Sequence, residues 1–494
     1  MTWAQSGAIV WAMRRSVSAL IAALLVAGLV AGCSKAPDSA VTLSVIGTEA
    51  RAGNPDRHPV DRPGLVMTAA LKQGLVQFDA HGDIEPALAE RWMVTDDGLS
   101  YIFRIRRTQW ADGTPVTAGD VAKSLRASLA ATSQNPLRPL LTQIVQILPM
   151  TESVIEVRLS EPQPALLALL ADPRMAITRN GQGSGPYRLY RAFPSAKILR
   201  PLRPSEEGGE ESVRNGERRI RGERAALAIA RYAERNAALV LGGDFATYPM
   251  IQAAGLPARD IRIDPVPGLF GLVPARDNGP AQNRTVRQAM AMSLDRPALL
   301  QRFGARGWAP SETLMPGPID TYVQATPDWG PLSLAERTAR ARALISQTMG
   351  GRVRISIALP NGPGARLLFA QMAASWRTVG IDARLAAPGE AADFKLVDEV
   401  VPTGNALAYL LPFACTVKAS CSAATSNALL IARRASRAER ARLFAEADRA
   451  IIDEQLYIPL ARPLRWSLVA PQLTGFATNP TGYHPLTQLG APAP

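Results

Sequence analysis

An α/β chain folded in two lobes is what this sequence predicts, and three observations carry the prediction. First, Ala335–Ser346 reads as a helix, Val353–Leu359 (VRISIAL) as a strand, Leu367–Val379 as a second helix and Ile381–Leu385 (IDARL) as a second strand. Such alternation builds a mainly parallel sheet. Second, the stretch from Asp83 to Arg126 reads as strand, tight turn, strand, tight turn and capped helix. Third, 494 residues with 47% hydrophobic content exceed the size at which a single core stops growing, so two or more lobes are expected.

In chain order, the first residues form a targeting pattern. Arg14-Arg15 precedes the apolar run Val17 to Val30, which ends in Ala31-Gly32-Cys33. A basic region, an apolar region and a small-residue cleavage site make an export signal, and the run is short for a spanning helix. Leu29-Val30-Ala31-Gly32-Cys33 resembles the bacterial lipobox, whose cysteine carries lipid and becomes the mature N-terminus. Met13, directly before the arginine pair, makes a more typical start than Met1. Ser34–Ala40 reads as a polar tether and Val41–Ile46 as a first strand leading into a turn that contains Glu49.

Within Asp83–Arg126, Leu88-Ala-Glu-Arg is expected to be a short helical run leading into Trp92 and Val94. Asp96-Asp97-Gly98 turns the chain, since glycine takes positive φ without steric cost. Tyr101, Phe103 and Ile105 then alternate with Ile102, Arg104 and Arg106, as a half-buried strand requires. Asp112-Gly113-Thr114-Pro115 turns again, and Thr117 with Asp120 forms a capping-box pattern for the next helix. Further on, Leu137–Ile147 has helical character, Val154–Leu159 is a strand and Pro164–Leu170 an apolar helix.

These residues carry a resemblance. Leu-Ala-Glu-x-Trp, Asp-Gly, aromatic-x-Phe-x-Ile-Arg, Trp-x-Asp-Gly-Thr-Pro and Ala-x-Asp-Val, read in order from Leu88 to Val121, resemble the signature of the family 5 solute-binding proteins of ABC importers. Gly183-Ser184-Gly185-Pro186-Tyr187, the run Asn283–Leu299 (NRTVRQAMAMSLDRPAL) and Tyr457-Ile458-Pro459-Leu460 are similar to later blocks of that family. The resemblance implies a two-lobed periplasmic-binding-protein fold of type II with the extra N-terminal subdomain of the peptide-binding members. It further implies a signal peptide over 1–32, a lipid-anchored tether over 33–40 and a first lobe over 41–262 that contains the extra subdomain at about 62–183. A second lobe over 263–466 and a return to the first over 467–494 complete the chain. The implied activity is capture of a short peptide or related solute between the lobes for delivery to an inner-membrane ABC permease, by a periplasmic, lipid-anchored monomer.

Candidate site residues follow from the same resemblance. Peptide-binding relatives place an aspartate four residues before a proline against the ligand's α-ammonium, and Asp398 and Pro402 keep that spacing. A structural ion pair is the alternative for Asp398, with Lys395 as a neutralising partner or as a selector of a ligand carboxylate. Glu49, in the turn after the first strand, and Trp308, in the Gly307-Trp308-Ala309-Pro310 loop, are further cleft candidates. Leu202–Arg224 reads as a solvated charged loop lacking the aromatic element common in relatives, and Ala237–Tyr248 as a helix capped at Gly242-Gly243.

Other chemistries find little support. Net charge +13 and a pI near 10.1 invite a nucleic-acid reading, but the arginines are scattered among glutamates and form no aromatic-studded stripe. No His-Glu-x-x-His, serine elbow or phosphate-cradling glycine loop is present, so no catalytic residue, metal or cofactor is expected. An exported enzyme and a non-transporting binding or signalling protein on the same fold stay as alternatives. With Cys33 assigned to lipid, Cys415 and Cys421 are expected to pair as a loop disulfide in an oxidising compartment.

Overall fold

The computed structural model describes residues 40–490 apart from 203–215, 318, 320–321, 351, 402–403, 416–420 and 434. The export signal, Cys33 and Pro402 therefore lie outside the described residues.

Two sheets organise the chain. The first has, in spatial order, the strands Ile261–Asp264, Arg465–Val469, Leu239–Asp244, Val41–Ile46, Arg218–Glu223, Ala196–Pro201 and Tyr187–Phe193. The second has Ile381–Leu385, Val353–Ala358, Phe394–Val400, Gly268–Pro274 and Ile458–Ala461. The chain passes from the first to the second between Asp264 and Gly268 and returns between Ala461 and Arg465. A four-stranded antiparallel sheet built from Ala89–Val94, Ser100–Ile105, Val154–Leu159 and Ile144–Pro149 stands beside the first, with a core of its own.

Local chemistry explains most elements. Thr117 caps the helix Ala118–Leu129 through a reciprocal box, with Asp120 N–H donating to Thr117 Oγ1 at 3.2 Å and Thr117 N–H to Asp120 Oδ2 at 3.1 Å. Ser333 and Glu336 do the same for Leu334–Met349. Arg287 donates from the buried helix Arg284–Met292 to the carbonyls of Glu454, Gln455 and Ala281. Asp295 caps the helix that follows.

Four expectations are corrected. Leu88–Arg91 is not helical: Ala89–Val94 is a strand paired antiparallel to Ser100–Ile105, so the ladder and the burial of Leu88 and Ala89 override good helix formers. Leu137–Ile147 divides into a 3-10 turn at Arg138–Leu141 and the strand Ile144–Pro149. Leu239–Asp244 is a strand, not the end of a helix; its Leu-Val-Leu run is buried on both faces in the middle of the first sheet, as central strands are. Arg218–Glu223 is likewise a strand within the segment read as loop. The charges at its two ends are partnered: buried Arg218 donates to the Leu486 and Leu489 carbonyls, and Glu223 accepts from Ser44 and Arg231.

Candidate functional site

Where the chain crosses between the sheets, a cavity of about 430 Å³ opens. Its first wall comes from Arg62 at the start of the helix Arg62–Leu71, from Gly242-Gly243 and from Arg465-Trp466. Asp398, Glu399 and Val400, at the end of the strand Phe394–Val400, form the opposite wall. Asp172 and Arg174 reach in from the extra subdomain, and Thr481 to His484 from the C-terminal return. The volume suits a small solute.

The backbone makes this shape possible at two glycines. Gly242 has φ 84°, which favours glycine, and a Cβ on Gly243 would lie 2.0 Å from the Trp466 ring. The indole covers that strand and donates Nε1–H to the Asp244 carbonyl at 2.8 Å.

Every arginine of the cavity has a carboxylate. Arg465 donates to Asp398 Oδ1 at 2.8 Å and to the Asp398 carbonyl at 3.1 Å, a link between the two sheets. Arg174 forks onto Asp172 at 2.8 and 2.5 Å; burial alone would lower its pKa, but Asp172, helped by Glu399, raises it. Arg62 contacts Asp244 at 3.3 Å and donates to the Gly242 carbonyl. Burial first and Arg465 second pull the Arg62 guanidinium below its usual range, against Asp244. Behind these, the ring Nε2 of His484 lies 3.1 Å from Asp264 Oδ2, and Asn479 ties the C-terminal turn together. Burial pushes the Tyr483 hydroxyl pKa upward, so it stays a neutral donor.

What remains unsatisfied is acceptor capacity. Asp398 Oδ2 takes no hydrogen bond, and the Glu399 carboxylate has no hydrogen bond or ion pair, among the described residues. The surface offered to a solute is therefore biased toward accepting from a cationic or polyhydric donor.

Of the candidate site residues named from the sequence, Asp398 alone lines this cavity. Lys395 is exposed and lies three residues from Asp398 on the same strand, hence on its opposite face; Arg465, not Lys395, neutralises Asp398. Glu49 is paired with Lys197 at 2.6 Å outside the cavity. Trp308 is a core residue, edge-on to Phe270 and Phe303, with Nε1–H on the Arg462 carbonyl at 2.6 Å. Sequence reading missed Arg62, Arg174 and Arg465, whose only signal was an arginine at an element boundary. Tyr483 and His484, brought in by the C-terminal return, were missed as well. No cluster able to hold a metal occurs among the described residues.

Two α/β lobes joined by a double crossing, with a solute-sized cleft at the joint, define a periplasmic-binding-protein fold. Residues 83–410 match the family model of the bacterial extracellular solute-binding proteins, family 5, and the chain belongs to that family, one of binding proteins and not of enzymes. It is similar to the probable deoxycholate-binding periplasmic protein YgiS of Escherichia coli K12, 24% identical over 56% of this chain and 57% of that protein. It also resembles the periplasmic oligopeptide-binding protein OppA of the same strain, 25% identical over 68% of each. The chain thus aligns with little more than half the length of the first of these relatives. In solved structures, Haemophilus influenzae OppA complexed with RPPGFSPFR superposes with a TM-score of 0.78 at 16% identity, over 92% of this chain and all of that one.

Proposed function

We propose that this protein is the solute-capturing receptor of an ABC importer, exported to the periplasm and held at the membrane by lipid on Cys33. It works as a monomer and hands a short peptide or amino-acid-like solute to the permease. The observation that carries this reading is the cleft between the lobes, with Asp398 on one wall and Arg465 on the other. The solute's ammonium sits on Asp398 Oδ2, the oxygen that Arg465 leaves open. Family membership supports the receptor role, and the names of the peptide-binding relatives support the solute class.

A melting-shift screen of the mature chain against short peptides, amino acids and unrelated metabolites tests the reading. A solute bound only by the folded state raises the melting temperature by mass action. Shifts confined to amine-bearing solutes are expected; shifts confined to solutes without an amine would overturn the assignment. For the anchor, Cys33→Ala is expected to move the protein from the membrane to the soluble fraction, because two or more acyl chains anchor stably.

A further inference from the structure

The cleft does not end at its charged walls. A second cavity of about 270 Å³ adjoins it, sharing Asp172, Arg174, Glu399 and Val400 as a common mouth. Its own walls are apolar: Leu137, Leu140 and Leu169 of the extra subdomain face Ala408 and Leu411 of the second lobe. Among the described residues, the polar side chains at its edge are the Asp172–Arg174 pair, already bonded to each other through two contacts, and Glu399.

From this continuity we infer that the annex is a specificity pocket for an apolar side chain at the amine-bearing end of the solute. The inference rests on the peptide-receptor reading above. Asp398 and Val400 stand on one face of the same strand, two residues or roughly 7 Å apart. An ammonium on Asp398 Oδ2 is therefore one side chain's reach from the annex mouth at Val400. A leucine- or phenylalanine-sized group fills the annex and loses its water against leucine walls. A polar group of equal size gives up its water there without gaining partners. The extra subdomain thereby acts as a selector, since three of the annex leucines belong to it.

Calorimetric titration of the mature protein with Leu-Gly, Phe-Gly, Gly-Gly, Ser-Gly and Asn-Gly tests this. Leucine- and phenylalanine-led dipeptides are expected to bind at least tenfold more tightly than glycine-, serine- and asparagine-led ones. Equal affinities across the set would overturn the annex while leaving the receptor reading in place. Binding by none of them would overturn the peptide reading itself, and the annex with it. In Ala408→Phe, which fills the annex from the second lobe, the leucine-to-glycine affinity ratio is expected to fall toward one. The ratio, not the absolute affinity, is the readout, and a melting curve reports whether the variant is folded. A folded Ala408→Phe with an unchanged ratio would contradict the proposal.

Discussion

The two oxygens of Asp398 stand in different surroundings. Oδ1 is committed to Arg465 and holds the lobes in register, while Oδ2 is open to the cleft. Asp398→Asn keeps the shape but removes the charge offered to an ammonium. A bound amine is expected to lose about 1.5–3 kcal/mol of affinity in calorimetry, and unchanged affinity would refute the contact. Asp448 is the opposite case, a carboxyl the fold holds at a cost. It is fully buried, accepts from Ala325 N–H at 2.6 Å through Oδ2, and has no donor for Oδ1 among the described residues. Burial pushes its pKa up to about 6, against that backbone hydrogen bond and Arg449. The folded state thus holds a proton between about pH 4 and 6 that the unfolded state has released, so stability falls as pH rises through that window. Urea melts from pH 4 to 7 should show Asp448→Asn lacking up to about 3 kcal/mol of that decline. Parallel curves for the two proteins would contradict the assignment.

At the scale of elements, Cys415 and Cys421 flank a short loop with Cα atoms 4.7 Å apart and sulfurs 2.26 Å apart. A disulfide here closes so small a loop that its expected contribution is modest, about 2–3 kcal/mol. Thiol labelling of the unreduced, denatured mature protein should find neither cysteine reactive; two labelled thiols would contradict the bond. Elements whose patterns are local were legible in the sequence. Val154–Leu159 and Ile381–Leu385 carry clear periods, and the structure has them with those bounds. Elements set by distant partners were not. Leu239–Asp244 is a strand because Val41–Ile46 and Arg465–Val469 flank it. Of its glycines, which look like a helix cap, Gly243 is there for the Trp466 ring and Gly242 for its positive φ. Arg218–Glu223 is a strand because Val41–Ile46 and Ala196–Pro201 flank it, and its end charges reach the Leu486 carbonyl and the Ser44 hydroxyl far along the chain. The site follows the same rule: Asp398 stands in a local pattern, whereas Arg62, Arg174 and Arg465 meet only when the fold is complete.

Across the whole molecule, contacts on two sides join the lobes. Near the crossings stands the Asp398–Arg465 pair, and at the subdomain Arg440 donates to Glu161 while also capping the Ala432 and Ala435 carbonyls. Leu407, Ala408 and Leu411 pack at once against the subdomain core and the second lobe's core. These contacts bridge the cleft, and under the proposed capture a solute touching both walls favours closure by its differential affinity. Glu161→Gln weakens the far contact by about 1 kcal/mol, so solute affinity should drop roughly fivefold. X-ray scattering of the unliganded variant should show a larger radius of gyration than the parent; unchanged affinity and unchanged scattering would rule out this pair as a closing contact.

The claim on which the rest depends is that a charged amine is gripped between the lobes. Calorimetric titration with Leu-Gly and with its N-acetylated form tests it most directly, because acetylation removes the positive charge and leaves the leucine side chain in place. Binding of the free dipeptide with loss of at least tenfold in affinity on acetylation is predicted. Equal affinity for the two forms would contradict the mechanism.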